Sequence, residues 1–191
     1  MLNLNKKIGL LFFVLNLTFV TFGQKTNKGI HIWNDTTKVT LQFFKIQKKS
    51  IGKIRALSSV GINYKSNLIG DSLLHIFLYS YFNPKKSWIA KKWDNDYTLR
   101  HEIGHFAIEE IYARLMRKEI SKTKIKKRNC LKKIKKIHTE YTNLAALEQK
   151  KYDDETGLST NEANQEKWIL IISSKLIELD HYKSPNVFVK L

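Results

Sequence analysis

A five-residue stretch, His-Glu-Ile-Gly-His at residues 101–105, constrains this chain more than any other feature. On a helix, residues four apart lie on one face about one turn apart, so His101 and His105 can present two imidazole nitrogens to one metal ion. Zinc accepts such nitrogen ligands at about 2.0–2.1 Å. Glu102, next to the first histidine, can then take a proton from a water molecule that the metal activates. The motif predicts His101 and His105 as metal ligands, Zn²⁺ as the cofactor and Glu102 as the catalytic base.

Apolar residues recur at helical spacing around the motif and again downstream of it. We expect the motif helix to run from about Tyr97 to about Glu119, with Asp94 or Asp96 as its N-cap. A second amphipathic helix is expected from about Lys124 to Gln149, which would form a long αα-hairpin with the first. Its expected apolar stripe is Leu131, Ile134, Ile137, Tyr141, Leu144 and Leu147.

The segment from Tyr152 to Leu158 is acidic and polar, and we expect it to be a turn between two helices. Ser159 and Glu162 have the spacing of a capping box, which predicts that a last helix begins there. Its apolar side would carry Trp168, Ile172, Leu176 and Leu179. Residues 181–191 are expected to be a short tail.

The strand signals lie upstream of the motif. Gly29–Trp33 can begin a strand, Lys38–Ile46 alternates between apolar and polar residues, and Ala56–Ile62 is rich in small residues, with Gly61 marking a bulge or a close approach. Ser72–Phe82 is apolar on both faces, which predicts a central strand with one side covered by helices. The expected fold class is α+β: a small, mostly antiparallel N-terminal sheet packed on a helical region, with a long αα-hairpin that carries the HExxH helix.

The N-terminus has the organisation of a signal peptide. Lys6 and Lys7 precede a mostly apolar stretch, Ile8–Phe22, and Thr21-Phe22-Gly23 has the small-x-small pattern of a cleavage site. We predict a signal peptide at residues 1–23 and a single zincin-like domain at residues 24–191, secreted or periplasmic, with no stable membrane span after cleavage; an uncleaved anchor is the alternative. Cys130 is the only cysteine, so neither an internal disulfide nor a cysteine-based zinc site can form.

The chain has a formal net charge of +17. Eleven lysines and arginines, against the single acid Glu119, lie between Arg117 and Lys136. This basic segment predicts either a solvated helix face or a surface for an anionic polymer. No nucleic-acid partner is expected, because no aromatic residues alternate with the basic ones, as they would in a groove that binds single strands.

Several segments besides the HExxH motif have a recognisable pattern. They are Ile32-Trp33, Ala56–Ile62, Ser87-Trp88-Ile89, Leu99–Phe106, Ile111–Arg114, and Tyr152-Asp153 to Thr156 followed by Gln165 and Trp168. Together they resemble a bacterial family of unknown function whose members are described as predicted secreted zinc-dependent proteases. The resemblance covers most of the chain after residue 23. It implies a secreted α+β metallopeptidase-like domain that acts on peptide or protein substrates.

A catalytic zinc site needs three protein ligands, and the motif supplies two. The extended pattern HExxHxxGxxH is not present, because Ile108 and Ile111 occupy the positions of its glycine and third histidine. A later carboxylate is the other common solution. Asp153 is preferred because it belongs to the Tyr-Asp pair of the resemblance, and the other candidates are Asp154, Glu155 and Glu162. In members of that family, the segment that corresponds to this one usually has a histidine at the position where this chain has Leu158.

Two functions therefore stay open at this point. The first is a secreted zinc-dependent hydrolase, a peptidase that uses metal-activated water to attack an amide carbonyl. The alternative, which Leu158 motivates, is a catalytically degenerate envelope protein that keeps the metallopeptidase-like fold for binding or structure. A carboxylate within reach of both imidazoles would favour the enzyme, and an apolar lining at that place would favour the binding protein.

Overall fold

The computed structural model describes residues 29–36, 38–47 and 49–191. It contains three α-helices: α1 (Asp96–Lys122), α2 (Cys130–Thr156) and α3 (Glu162–Glu178). Its strands are β1 (His31–Ile32), β2 (Lys45–Gln47), β3 (Ala56–Leu57), β4 (Val60–Ile69), β5 (Leu73–Phe82), β6 (Trp88–Ala90) and β7 (Asn186–Lys190). The α+β fold class is confirmed, and α1 and α2 form the expected αα-hairpin.

The predicted signal peptide at residues 1–23 lies outside the described residues, so it stays a prediction, as does the single domain at residues 24–191. Within the described part of the chain, none of the helices combines the length and the apolar character needed to cross a membrane.

The main sheet is built on β5, as its apolar sequence predicted. Strand β4 pairs with β5 along its whole length in antiparallel register, from Val60 opposite Phe82 to Ile69 opposite Leu73. The other edge of β5 is shared by two short antiparallel strands, β1 and β7. Gly61 marks a close approach, since a Cβ atom there would lie 2.9 Å from the Tyr81 hydroxyl oxygen.

The C-terminal residues are not the tail that we expected. Residues 186–190 form β7, in which Val187 and Val189 are buried and the three alternate residues are exposed. The alternation arises because one face of β7 is buried and the other is exposed, and the two valines on the buried face join the core beneath β5. The expectation failed because five alternating residues at the chain end give a weak signal without a partner strand.

A second, smaller sheet has the order β2-β6-β3, with β2 parallel and β3 antiparallel to β6. The prediction of one strand over residues 38–46 is wrong, because residues 41–43 form a 3₁₀ turn and only residues 45–47 pair with β6. The segment from Ala56 to Ile62 is two strands, β3 and the start of β4. Strand β3 therefore belongs to a different sheet from β4, and it lies against α1.

Helix α1 is the central element of the core. Its C-terminal half packs Met116 and Ile120 under β5 and against α2, while its middle packs Ile108 and Ile111 against α3. Near its N-terminus, Phe106 joins a cluster with residues of the second sheet. The side chain that caps α1 is that of Asn95, which accepts from the Thr98 amide, so the prediction of Asp94 or Asp96 as N-cap is wrong.

Helix α2 begins later and ends later than expected. It runs through the segment that we predicted to be a polar turn. Tyr152 and Thr156 are completely buried there, so this last part of the helix packs against the rest of the protein. The helix ends at Gly157, which has the left-handed conformation that glycine adopts most readily. The apolar stripe is also rotated from the expected one, since Ile134 and Ile137 are buried but Leu131 and Leu147 are exposed.

The cap of α3 also differs from the sequence prediction. Asn161 caps this helix by accepting from the Asn164 amide, so the predicted capping box at Ser159 is not formed. Ser159 instead has a positive φ of 65° and is buried. The expected apolar side of α3 is confirmed at Trp168 and Ile172.

A buried ion network joins α1 to the elements around it. The Glu110 carboxylate accepts from Arg114 Nε at 3.0 Å, from Arg117 Nη1 at 2.9 Å and from the Ser80 hydroxyl at 2.7 Å. Arg117 also donates to the carbonyl oxygen of Leu78, and Arg114 donates to that of Leu176. The network thus fixes α1 against β5 and the end of α3.

We predict that Glu110→Ala lowers the free energy of unfolding by about 3–5 kcal/mol, because it leaves the buried Arg117 without a carboxylate and Arg114 with only the exposed Asp35. Chemical denaturation measures the effect. Glu140→Ala is the matched control, since Glu140 is an exposed glutamate on α2, and we expect a change within about 0.5 kcal/mol. Equal effects of the two variants would contradict a structural role for the network.

Candidate metal centre

The HExxH motif lies in the N-terminal half of α1, between β3 and the C-terminal end of α2. His101 and Glu102 are buried, with relative exposures of 3% and 4%, and His105 is partly buried. Behind the motif, the Ser58 hydroxyl donates to the Glu102 carbonyl oxygen, which ties the β3–β4 connection to the helix. The motif is thus placed at the bottom of a cleft rather than on an open helix surface.

Asp153, in the last turn of α2, brings a carboxylate to both histidines. Its Oδ1 atom lies 3.2 Å from His101 Nε2 and 3.1 Å from His105 Nε2, and the two Nε2 atoms are 3.2 Å apart. Three ligand atoms of a tetrahedral zinc ion would be separated by about 3.3 Å, given metal–ligand distances of about 2.0–2.1 Å. This group can therefore hold a metal ion with little rearrangement of the three side chains.

Two glutamines set the orientation of the histidine rings. Gln149 donates through its Nε2 to the His105 carbonyl oxygen at 2.9 Å and to Glu109, which leaves its Oε1 facing His105 Nδ1. An amide oxygen can only accept, so Nδ1 of His105 carries the proton. The lone pair of His105 is then on Nε2, directed at His101 and Asp153.

His101 is oriented in the same way through a longer chain of hydrogen bonds. The Tyr152 hydroxyl donates to the His101 carbonyl oxygen at 3.0 Å and accepts from Gln165 Nε2 at 2.6 Å. Gln165 Oε1 then lies 3.0 Å from His101 Nδ1, which must donate to it. Both imidazoles consequently turn an Nε2 lone pair toward one point, which is the arrangement that outer hydrogen bonds give to metal-binding histidines.

Two lone pairs and a carboxylate that face one another need a cation between them. Burial alone would raise the pKa of Asp153, but its hydrogen bonds with His101 and His105 outweigh this and hold the pKa well below its usual value. Burial alone would lower the pKa of His105, whereas the hydrogen bond to Asp153 and the charge of Glu102 raise the pKa to about 8. Without a metal, a proton on His105 supplies the positive charge, so a metal ion and this proton compete for the same place.

Glu102 is the one member of the motif that lacks a complete set of partners. Its Oε2 atom is buried and has no hydrogen-bond partner among the described residues. A cleft of about 270 Å³ lies beside it and is lined by both histidines, Asp153 and β3. A buried carboxylate oxygen at such a cleft is suited to accept a proton from a molecule that enters it.

Gly104 determines how closely α2 can approach the motif. The Tyr152 ring is completely buried and stacks on the His101 ring at a centroid distance of 4.7 Å. A Cβ atom on Gly104 would lie 2.2 Å from the Tyr152 hydroxyl oxygen and 2.7 Å from its Cζ. Only glycine therefore lets Tyr152, and with it the neighbouring Asp153, reach the histidines. Tyr152 itself packs and positions, since its hydroxyl points to the backbone of α1.

The other acidic candidates lie elsewhere. Asp154 is exposed and pairs with Lys150, and Glu155 accepts from the Trp168 indole at 2.8 Å. Glu162 is an exposed residue in the first turn of α3. None of these three belongs to the metal-binding group found among the described residues, which contains Asp153 alone of the four acids.

Two further histidines, His138 and His75, lie away from the centre. His138 Nε2 is 3.1 Å from the Ile62 carbonyl oxygen, and His75 contacts Asn67 and Asn186 on the sheet. Leu158 lines the cleft and has a positive φ of 52°, which is unusual for a residue with a branched side chain. The apolar side chain at this position therefore lies beside the centre, and the carboxylate that faces both imidazoles is that of Asp153.

Sequence reasoning assigned no role in the site to Gln149, Gln165 or Gly104, although Gln165 and the segment that contains Gly104 are among the carriers of the resemblance. A signal was present for the α2 residues, because Gln149, Tyr152, Asp153 and Thr156 have the spacing of one helix face. That spacing favours a helix through the acidic segment, whereas its polar composition suggested a turn. Gln165 comes from a third helix, so no local pattern connects it with His101.

Comparison of the chain with protein-family models, with curated proteins and with solved structures gave no match. The resemblance to the family of predicted secreted zinc-dependent proteases thus stays a prediction from the sequence.

We predict that Gly104→Ala destabilises the protein by about 1–3 kcal/mol, because the added methyl group overlaps the buried Tyr152 ring. Helix propensity alone predicts the opposite sign, a gain of about 1 kcal/mol at a helix interior. Thermal or chemical denaturation of the metal-free protein distinguishes the two. A stabilised Gly104→Ala variant would show that Tyr152 does not pack against α1 as described.

We predict that Gln165→Leu weakens metal binding by about 10- to 100-fold, because the Nδ1 proton of His101 loses its acceptor and the ring loses its fixed orientation. Competition with a zinc chelator of known affinity measures the change. Gln47→Leu, a partly buried glutamine on β2, serves as the control and should bind zinc like the wild type. Unchanged affinity in Gln165→Leu would contradict the positioning role.

Proposed function

We propose that this protein is a zinc-dependent hydrolase that cleaves peptide or protein substrates. The observation that carries the proposal is the convergence of His101 Nε2, His105 Nε2 and Asp153 Oδ1, each within 3.2 Å of the others, beside the buried and unpartnered Oε2 of Glu102. Two imidazoles and one carboxylate leave a fourth position for water or substrate, as catalytic zinc sites do.

The donor set also bears on which metal would bind. Two neutral imidazoles and a single carboxylate suit zinc, while a site for calcium or magnesium would present mostly oxygen atoms. The same donor set occurs in iron(II) oxygenases, but a buried carboxylate such as Glu102 next to the first ligand is typical of hydrolytic zinc sites. A bound zinc ion supplies Lewis acidity, which makes water nucleophilic near neutral pH and polarises a substrate carbonyl.

Glu102 supplies the proton transfers of the reaction. As a carboxylate, it accepts a proton from the attacking water while the water oxygen forms a bond to the amide carbon. It then delivers that proton to the amide nitrogen as the C–N bond breaks, which leaves a carboxylic acid and an amine. Its burial keeps the carboxylate close to the reacting atoms and limits competition from bulk water.

The hydrolase is favoured over a degenerate binding protein by the position of Asp153. A binding protein that had lost its chemistry would need no carboxylate at both imidazoles and no pair of glutamines to orient them. Leu158 motivated that alternative, but the third ligand position is supplied without it. The proposal includes secretion or a periplasmic location only because the N-terminal segment has the pattern of a signal peptide.

We expect Glu102→Gln to lower kcat for peptide hydrolysis by about 10²- to 10⁴-fold while zinc stays bound, because only the proton acceptor is removed. Digestion of a proteome-derived peptide library by zinc-loaded protein, read by mass spectrometry, measures cleavage, and elemental analysis measures zinc. Glu140→Gln, on the exposed side of α2, is the matched control. Cleavage by Glu102→Gln at the wild-type rate, or no cleavage by the zinc-loaded wild type, would argue against the proposed function.

A further inference from the structure

A second, larger pocket lies next to the cleft at the metal centre. This pocket has a volume of about 600 Å³ and shares Arg55, Asp153 and Leu158 with the cleft. A ligand group bound at the metal centre can therefore extend past Asp153 into the second pocket. Trp93 and Lys53 also line this pocket.

Arg55 is held in this pocket by contacts on three sides. Its carbonyl oxygen accepts from the Ala90 amide at 2.8 Å, which fixes the backbone next to β6. Its guanidinium carbon lies 3.6 Å from the centroid of the Trp93 ring, and Nη1 donates to the Ser159 carbonyl oxygen at 3.3 Å. Stacking on an indole and one hydrogen bond to the backbone hold the guanidinium plane in place.

This guanidinium forms no ion pair with a carboxylate in the described part of the chain, unlike the buried Arg114 and Arg117. A guanidinium has five N–H donors, and Arg55 uses one of them for a protein acceptor. The remaining donors are available to a ligand, and a carboxylate matches their spacing best.

The acidic residues of the pocket are already neutralised. Asp153 Oδ1 faces the two histidines, where the proton on His105 or a metal ion balances its charge, and Asp154 pairs with Lys150. Lys53 is exposed at the pocket and adds to the positive charge of Arg55. The pocket next to the metal centre therefore attracts anions, although two aspartates line it.

We infer that Arg55 binds a carboxylate of the substrate close to the cleaved bond, an inference that rests on the proposed hydrolase function. The substrates are then peptides with either an acidic side chain or the C-terminal carboxylate near that bond. Both sources present the same planar carboxylate to the same guanidinium.

The first experiment uses small metal-binding probes and needs no turnover. Each probe carries a hydroxamate, which binds zinc, joined through two to five methylene groups to either a carboxylate or a primary amide. Calorimetry on the zinc-loaded protein measures both affinities. We expect the carboxylate probe of the best length to bind about tenfold more tightly than its amide partner, as hydrogen bonds to a charged group predict.

Variants at Arg55 then test whether this residue carries the preference. Arg55→Gln should reduce the ratio of the two affinities to about one, and Arg55→Lys should give an intermediate ratio because it keeps the charge without the planar fork. Arg128→Gln is the matched control, because Arg128 is exposed in the 3₁₀ turn that precedes α2, and the first residue of α2 is roughly 35 Å along the helix from Asp153. It should keep the wild-type ratio.

The second experiment distinguishes the two sources of the carboxylate. Peptides that the zinc-loaded enzyme cleaves are compared as free acids and C-terminal amides, and with each internal glutamate replaced by glutamine. Loss of cleavage on amidation identifies the C-terminal carboxylate, and loss on Glu→Gln replacement identifies an acidic side chain.

Equal binding of the carboxylate and amide probes by the zinc-loaded wild type would overturn the inference and leave the proposed function intact. The same is true if Arg55→Gln, shown by circular dichroism to be folded, keeps the preference for the carboxylate. A protein that takes up no zinc would overturn both, so the two failures are distinguishable.

Discussion

The contact of α2 with α1 at Gly104 determines whether the three candidate ligands can meet. His101 and His105 share one face of α1 through their spacing alone, but Asp153 comes from a different helix. The Tyr152 ring fills the space where a Gly104 side chain would be, and this brings the last turn of α2 against the motif. The metal centre is thus a consequence of helix–helix packing as much as of the motif.

A rigid α1 is the second requirement, because metal geometry tolerates little displacement of its ligands. The buried Glu110 lies about one and a half turns beyond the motif and binds Arg114 and Arg117, which reach β5 and the end of α3. This part of α1 anchors the helix, and the N-terminal half presents the histidines and Glu102 to the cleft. One helix therefore combines the structural anchor with two of the three candidate metal ligands.

The sequence was sufficient to predict the elements whose signal is local. The HExxH helix, the central strand β5 and the αα-hairpin follow from periodicity, and Asp153 was preferred among four acids through a family resemblance. The end of α2 and strand β7 could not be read in this way, because burial of Tyr152 and pairing of Val187 depend on distant residues. For the same reason, only the folded structure places Gln165 against His101 and Arg55 at the neighbouring pocket.

Zinc binding by the wild type compared with Asp153→Ala and Asp154→Ala tests the central claim most directly. The two aspartates are neighbours on α2, but only Asp153 faces both histidines. After reconstitution and dialysis, the account predicts one zinc per chain in the wild type and in Asp154→Ala, and loss of the metal in Asp153→Ala. A wild type without zinc, or equal zinc contents in the two variants, would contradict it.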